Sequence, residues 1–330
     1  MKRLLLVFVT TFTTLVLSQE KIQIIDSQTK EPIGFTTIAF GEGLGGFTDE
    51  EGCFTFDKKQ SFSVNMLGYK ALFVSEADFR NSIELEIEPI LIDEIIVSNK
   101  KGKQKISNQK PYWKNSTWLD SYTPQIGNEI AVLIPNDKKE DMILSKIIIP
   151  IATNPHRVFD KKSKGHFKHW EDLPYSTVRI RFYSNENNKP KEILSLEEII
   201  VNVPNTKEKL FEVDLEKYFV QIPQNGLFVG IEFIGFADEN QKYAYRPNFH
   251  FTERNGQKIK VATQMAICIP IETKTKTAKT FIRYSDWNKN GEKMIWQVFT
   301  EEIFLKLRQE RERRKGTVNL GLGYELKVYE

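Results

Sequence analysis

The stretch GFTTIAFGEGLGGFTDEEGCFTFDKKQSFSVNMLGYK, residues 34–70, decides the fold. In its first part Thr36, Ile38 and Phe40 fall on one face of an extended chain, and Phe35, Thr37 and Ala39 on the other. That two-residue beat belongs to a strand with one buried face. Gly41, Gly43, Gly45 and Gly46 follow, and glycine turns through positive φ at no steric cost. Residues 49–52 (DEEG) make a polar turn, Phe54 and Phe56 resume the alternation, and Gly68 before Tyr69 marks another corner. Short strands punctuated in this way predict a β-sandwich.

Taken with KIQIIDSQTKEPIG just upstream, the stretch resembles the carboxypeptidase-regulatory-like domain. The matching residues are Ile25 and Asp26, Glu31 to Ile33, Thr36 to Ala39, Thr48 to Gly52, and Leu67 to Lys70, within residues 20–90. The resemblance implies a transthyretin-like β-sandwich of a kind common in bacterial cell-envelope proteins. It also implies a non-catalytic module, since this domain is the partner of a carboxypeptidase and not its zinc-bearing part. Residues 91–98 (LIDEIIVS) resemble the short strand after the same module in outer-membrane TonB-dependent receptors. The remaining chain lacks the serial lipid-facing strands of a large barrel, so a receptor architecture is excluded.

The N-terminus reads as an export signal. Met1-Lys2-Arg3 is basic, residues 4–17 are uncharged and mostly apolar, and Val16 and Ser18 suit a signal peptidase. The apolar run falls short of the roughly 20 residues that span a bilayer as a helix. Cleavage is expected before Gln19, giving an exported protein, periplasmic, outer-membrane associated or extracellular, with no transmembrane span after processing. Loss of Lys2 and Arg3 takes the formal charge from +3 to about +1, which offers no electrostatic case for nucleic acid. The 23 phenylalanines and recurrent β-branched runs favour an all-β protein.

The expected domains are a signal peptide at 1–18, the N-terminal sandwich at 19–98, a linker at 99–111 and a larger sandwich at 112–330. The linker assignment rests on NKKGKQKISNQK (99–110), which is basic and nearly free of apolar residues. Within the second unit, strands are expected at 129–134, 143–151, 177–183, 198–203, 226–234, 259–271, 280–284 and 294–299, with one helical turn at 214–218. Val178, Ile180 and Phe182 alternate with Arg179 and Arg181, predicting one buried face and one charged face. Residues 301–315 (EEIFLKLRQERERRK) are the best helical segment, with acids first and bases last. Leu320 to Val328 keep a two-residue beat and predict a final strand. The pattern resembles the jelly-roll-like sandwich that follows such modules in flavobacterial-type envelope proteins, through Gly127 to Ala131, Arg179 to Tyr183, Asp214 to Tyr218 and Gly226 to Phe233.

Chemistry is thinly signalled. His156, His166 and His169 lie among lysines that would repel a cation, and neither HExxH nor CxxC occurs. No G-x-S-x-G elbow is present, and Gly43 to Gly46 precede no helix that could cradle phosphate. No metal, cofactor or catalytic residue is therefore assigned. Cys53 and Cys268 could bridge the two domains or remain thiols. The candidate ligand-binding residues are Trp113, Trp118, Tyr122 and Trp170, aromatics that could stack on sugars or fill core space. The expected function is a non-catalytic, exported envelope protein that binds or scaffolds an envelope protein or glycan. The alternative is a carbohydrate-binding or carbohydrate-active protein using the second sandwich.

Overall fold

A computed structural model describes residues 20–41, 43–56, 60–88, 103–112, 121–153, 173–195, 197–205, 210–272, 279–283, 295–300, 303 and 318–329. The protein is all-β. The expected signal peptide, nearly all of the 301–315 helix, and the three loop histidines lie outside the described residues. Among the described residues no helix is long and apolar enough to cross a membrane.

The N-terminal unit is a sandwich of two sheets. In the first, Glu20–Asp26 lies between Cys53–Phe56, antiparallel to it, and Ser82–Leu85, parallel to it. In the second, the order is Leu44–Phe47, Thr37–Gly41, Phe62–Asn65 and Leu72–Val74. The alternation read from the sequence places Ile22, Ile24, Ile38, Phe54, Phe56, Phe62 and Val64 inside, all at most 3% exposed.

The motif residues here are structural locks. Asp26 Oδ1 accepts the N–H groups of Gln28 and Thr29 at 2.7 and 2.8 Å, and its Oδ2 accepts the Tyr69 hydroxyl at 3.0 Å. The Thr29 and Gln28 N–H groups hold this carboxyl below its ordinary range. Thr48 Oγ1 accepts the Thr36 N–H at 2.8 Å, and Asp49 Oδ1 accepts the Cys53 N–H at 2.6 Å. Gly52 sits at φ 70°, where a Cβ would stand 2.5 Å from the Ile24 carbonyl oxygen.

The second unit is larger. Its eight-stranded sheet runs Lys189–Ile193, Tyr175–Glu186, Leu227–Ala237, Glu129–Ile134, Thr280–Arg283 and Gln297–Val298, with Ile199–Pro204 and Tyr243–Ala244 attached at the sides. A five-stranded sheet is centred on Asp141–Pro150 and Gly323–Tyr329, and a four-stranded one on Ile267–Glu272. Ile130, Val132, Ile180, Phe182, Val229, Ile231 and Phe233 from the large sheet pack with Leu144, Ile147, Ile149, Ile267, Ile269 and Leu326 in one core.

Three expectations change. Within the expected linker 99–111, Gln104–Gln109 is a strand, paired antiparallel with Gly323–Tyr329 from Gln104↔Tyr329 to Tyr324↔Gln109. Its side chains are all exposed and a backbone ladder joins it to the sheet, which is why apolar content did not reveal it. The expected strand 259–271 is two strands, Gln257–Ala262 and Ile267–Glu272. The first forms a projecting ribbon with Phe249–Arg254, closed by Asn255 and Gly256 at φ 54° and 73°. The charged face of the Arg179 strand is also buried: Arg179 is 0% and Arg181 4% exposed. No disulfide joins Cys53 and Cys268; Cys268 is buried in the second unit, 3.3 Å from Thr123 Oγ1.

Candidate functional site

The buried charges of the large sheet are the densest chemistry among the described residues. Register alone assembles them. Arg179 lies opposite Glu232, Glu232 opposite Glu129, and Glu129 opposite Arg283, so four adjacent strands contribute one row. Neighbouring glutamates would repel across strands, and each is drawn to its own cation. Glu232 Oε2 accepts from Arg181 Nη1 at 3.0 Å and Arg179 Nη1 at 3.2 Å. Glu129 Oε2 accepts from Arg283 Nε at 2.9 Å and also from its Nη2, while its Oε1 accepts the Tyr183 hydroxyl at 2.5 Å. Glu198, from the segment before Ile199–Pro204, closes the group: Arg181 Nη2 donates to it at 2.9 Å, and Arg179 Nε lies 2.5 Å away.

Gly230 makes room for this arrangement. A Cβ there would stand 2.6 Å from both Glu129 Oε1 and the Tyr183 ring. The charge states are settled by pairing. Burial pushes the Glu198 carboxyl up, but Arg179 and Arg181 outweigh it and hold the group below its ordinary range. Burial would lower Arg181, and Glu198 and Glu232 carry it well above its usual value instead. Burial, with the Glu129 carboxylate beside it, pushes the Tyr183 phenol far up, so it stays protonated, donating to Glu129 and accepting from Arg283 Nη2 at 2.8 Å.

The N-terminal sandwich covers the Arg179 end of the row. Arg179 Nη2 donates to the Phe35 carbonyl, and the guanidinium stands over the Phe47 ring, 5.5 Å from its centroid. Phe35 holds φ 54°, an uncommon backbone state for a bulky residue. Phe47 and Ala39 belong to the core of the second unit. The glycine-rich hairpin is the socket of the same seam. Asn248, 3% exposed, donates to the Gly43 carbonyl at 2.8 Å and accepts the Gly45 N–H at 3.2 Å. At Gly46 a Cβ would meet the Tyr245 ring at 2.5 Å and the Phe54 ring at 2.8 Å. Glu50 Oε1 accepts the Tyr243 N–H at 2.9 Å, and Phe35 meets the Tyr243 ring edge-on at 5.8 Å. Gly46 leaves room for the Tyr245 ring of the second unit, while Gly41 and Gly43 turn the hairpin at φ 81° and 73°.

This arrangement can orient and join; every carboxylate in it already faces a guanidinium or phenol. Among the described residues no group of three or more His, Cys, Asp or Glu side chains is placed to hold a metal ion. Of the expected ligand-binding aromatics, Tyr122 is 1% exposed, packs edge-on against Phe299 at 5.4 Å, and accepts from Asn128 Nδ2 at 3.2 Å. It is a core residue and presents no ring to solvent. Trp113, Trp118 and Trp170 lie outside the described residues. Sequence reading missed Trp296, whose ring carries the Arg283 guanidinium at 4.4 Å and meets Tyr183 edge-on at 5.4 Å. A tryptophan one residue from a short strand carries no signal of that contact.

The chain matches no family model and no curated protein. Among solved structures it is similar to two chains of a clostridial surface-layer-associated cysteine protease, Cwp84. One is a cysteine-to-alanine variant after propeptide cleavage, and the other comprises the cysteine protease and lectin-like domains of the Clostridium difficile protein. Each is 8% identical with a TM-score of 0.32 and covers 94% of this chain. The alignments span 70% and 62% of those chains, so the second is matched over less than two thirds of its length.

Proposed function

We propose that this is an exported, non-catalytic protein of the bacterial cell envelope, with a binding or scaffolding role. In this reading the N-terminal sandwich is a carboxypeptidase-regulatory-like module. The observation that carries the proposal is the seam. The buried Arg179, Arg181 and Glu232 and the partly buried Glu198 are spent on one another and on the Phe35 carbonyl. Two sandwiches joined in this way present sheet faces and loops, the construction of an adaptor. The residues behind the resemblance, Asp26, Tyr69, Thr48 and Asp49, support it by acting as turn locks of the module.

The test is cosedimentation of the purified full chain with envelope fractions of the native host, followed by crosslinking to identify what retains it. Saturable retention in the envelope pellet is expected. A chain that stays in the supernatant, or that turns over a peptide or polysaccharide in a manner abolished by one Asp or Glu substitution, overturns the proposal.

A further inference from the structure

Beyond the arginine–glutamate row, the same face of the large sheet carries an open groove of about 480 Å³. That is within the roughly 300–1,000 Å³ of small-ligand sites. One wall is the half-buried Trp296 with Ile295, which is 83% exposed. The indole is held by the Arg283 guanidinium over its ring and by Tyr183 against it edge-on. Its N–H is buried with no hydrogen-bond acceptor among the described residues, so contact with a ligand would run through the ring carbons. The other wall is Lys189 and Lys191, two residues apart on one strand and therefore on one face, together with Glu186, which lies opposite Lys189 in the ladder. Lys191 pairs with Glu186 at 3.0 Å, while Lys189 makes no ion pair among the described residues. Arg283, also in the lining, is neutralised from behind by Glu129.

Two lysines against one glutamate leave this wall net positive, and an apolar wall opposite it fits a ligand with an apolar face and an anionic edge. We propose that this groove binds a carboxylate-bearing sugar, a uronate unit of an acidic polysaccharide, with the pyranose ring against Trp296 and Ile295 and its carboxylate on Lys189. The inference rests on the binding role proposed above and names its ligand class and site.

The experiment titrates the full-length chain with a galacturonate trimer, with a neutral galactose trimer of the same length, and with inorganic sulfate, followed by calorimetry. The uronate is expected to bind at least about tenfold more tightly than the neutral trimer. Lys189→Glu should weaken it by a further tenfold or more, the scale of one lost charge-assisted contact. Lys189 is exposed, so this variant keeps its fold; Trp296→Leu, accepted only if it unfolds cooperatively, should also lose the uronate. Absent uronate binding, equal affinity for the neutral trimer, an unchanged Lys189→Glu, or sulfate binding as tightly as the uronate would each overturn the assignment. A chain that ignores the uronate yet still sediments with envelopes loses this groove and keeps its proposed role.

Discussion

Replacing Arg179 with methionine is the sharpest probe of the seam. The side chain is 0% exposed and serves Glu198, Glu232 and the Phe35 carbonyl at once. Methionine fills much of the volume but leaves Glu198 and Glu232 sharing Arg181 alone, a buried net charge of one. Breaking a buried pair in this way costs about 3–5 kcal/mol, out of a domain stability of about 5–15 kcal/mol. Arg181 still contacts both glutamates, so the lower end, about 3 kcal/mol, is the expected loss. With urea slopes of about 1–3 kcal/mol per molar, the midpoint of the second unit should fall by at least about 1 M. The assay is urea unfolding of the full chain. Adding Glu232→Gln to Arg179→Met restores the charge balance and should recover at least about 1 kcal/mol. A single variant that loses less than about 1 kcal/mol, or a double variant that simply adds two penalties, would refute the account of the row as a mutually dependent network.

Three further outcomes follow from the geometry. Gly46→Ala places a methyl against the Tyr245 and Phe54 rings and should cost about 1–3 kcal/mol of stability by overpacking; an unchanged melting curve would show that the seam is loose. Because the Glu198 carboxyl is lowered in the folded state, its contribution is fully present above its ordinary value of 4.5 and is lost as pH falls from there through the lowered value. Stability measured from pH 7 to pH 3 should therefore drop below about 4.5, and Glu198→Gln should flatten that drop. Trypsin should cut at Lys105, inside the strand Gln104–Gln109, far more slowly than it cuts an unfolded peptide of the same sequence; equal rates would return the segment to a linker.

The sequence was most legible where one element explains itself. The strand expected at 129–134 is Glu129–Ile134, and the turn expected at 214–218 contains Glu216–Tyr218. The alternating phenylalanines of residues 34–70 and the glycines at positive φ (Gly41, Gly43, Gly52 and Gly68) are local devices of a sandwich, whereas Gly45 and Gly46, read with them as turn residues, lie in the strand Leu44–Phe47. The charged row was not legible. Alternation in Val178 to Phe182 says that two faces differ, but whether the second face meets water depends on partners from distant segments. Glu129, Glu232 and Arg283 reach Arg179 and Arg181 only through strand register. Tyr122 illustrates the same limit: an aromatic suits a sugar platform and a core equally, and only packing against Phe299 and Phe233 decides. The buried network also shows why a near-neutral net charge says little about where charges sit.

The pairing of Gln104–Gln109 with Gly323–Tyr329 has a kinetic side. Residues at the start of the second unit find their ladder partner only when residues 323–329 have been made, and Asp141–Pro150 needs the same strand on its other edge. During synthesis both wait with open backbone edges while more than half of the chain emerges. Contacts so distant in sequence slow folding, and waiting edges invite pairing with other chains. The exposed side chains of the Gln104 strand, with Lys105 among them, keep it soluble through that interval. Its polar composition, which makes it look like a tether, is what a long-unpaired strand needs to survive until its partner arrives.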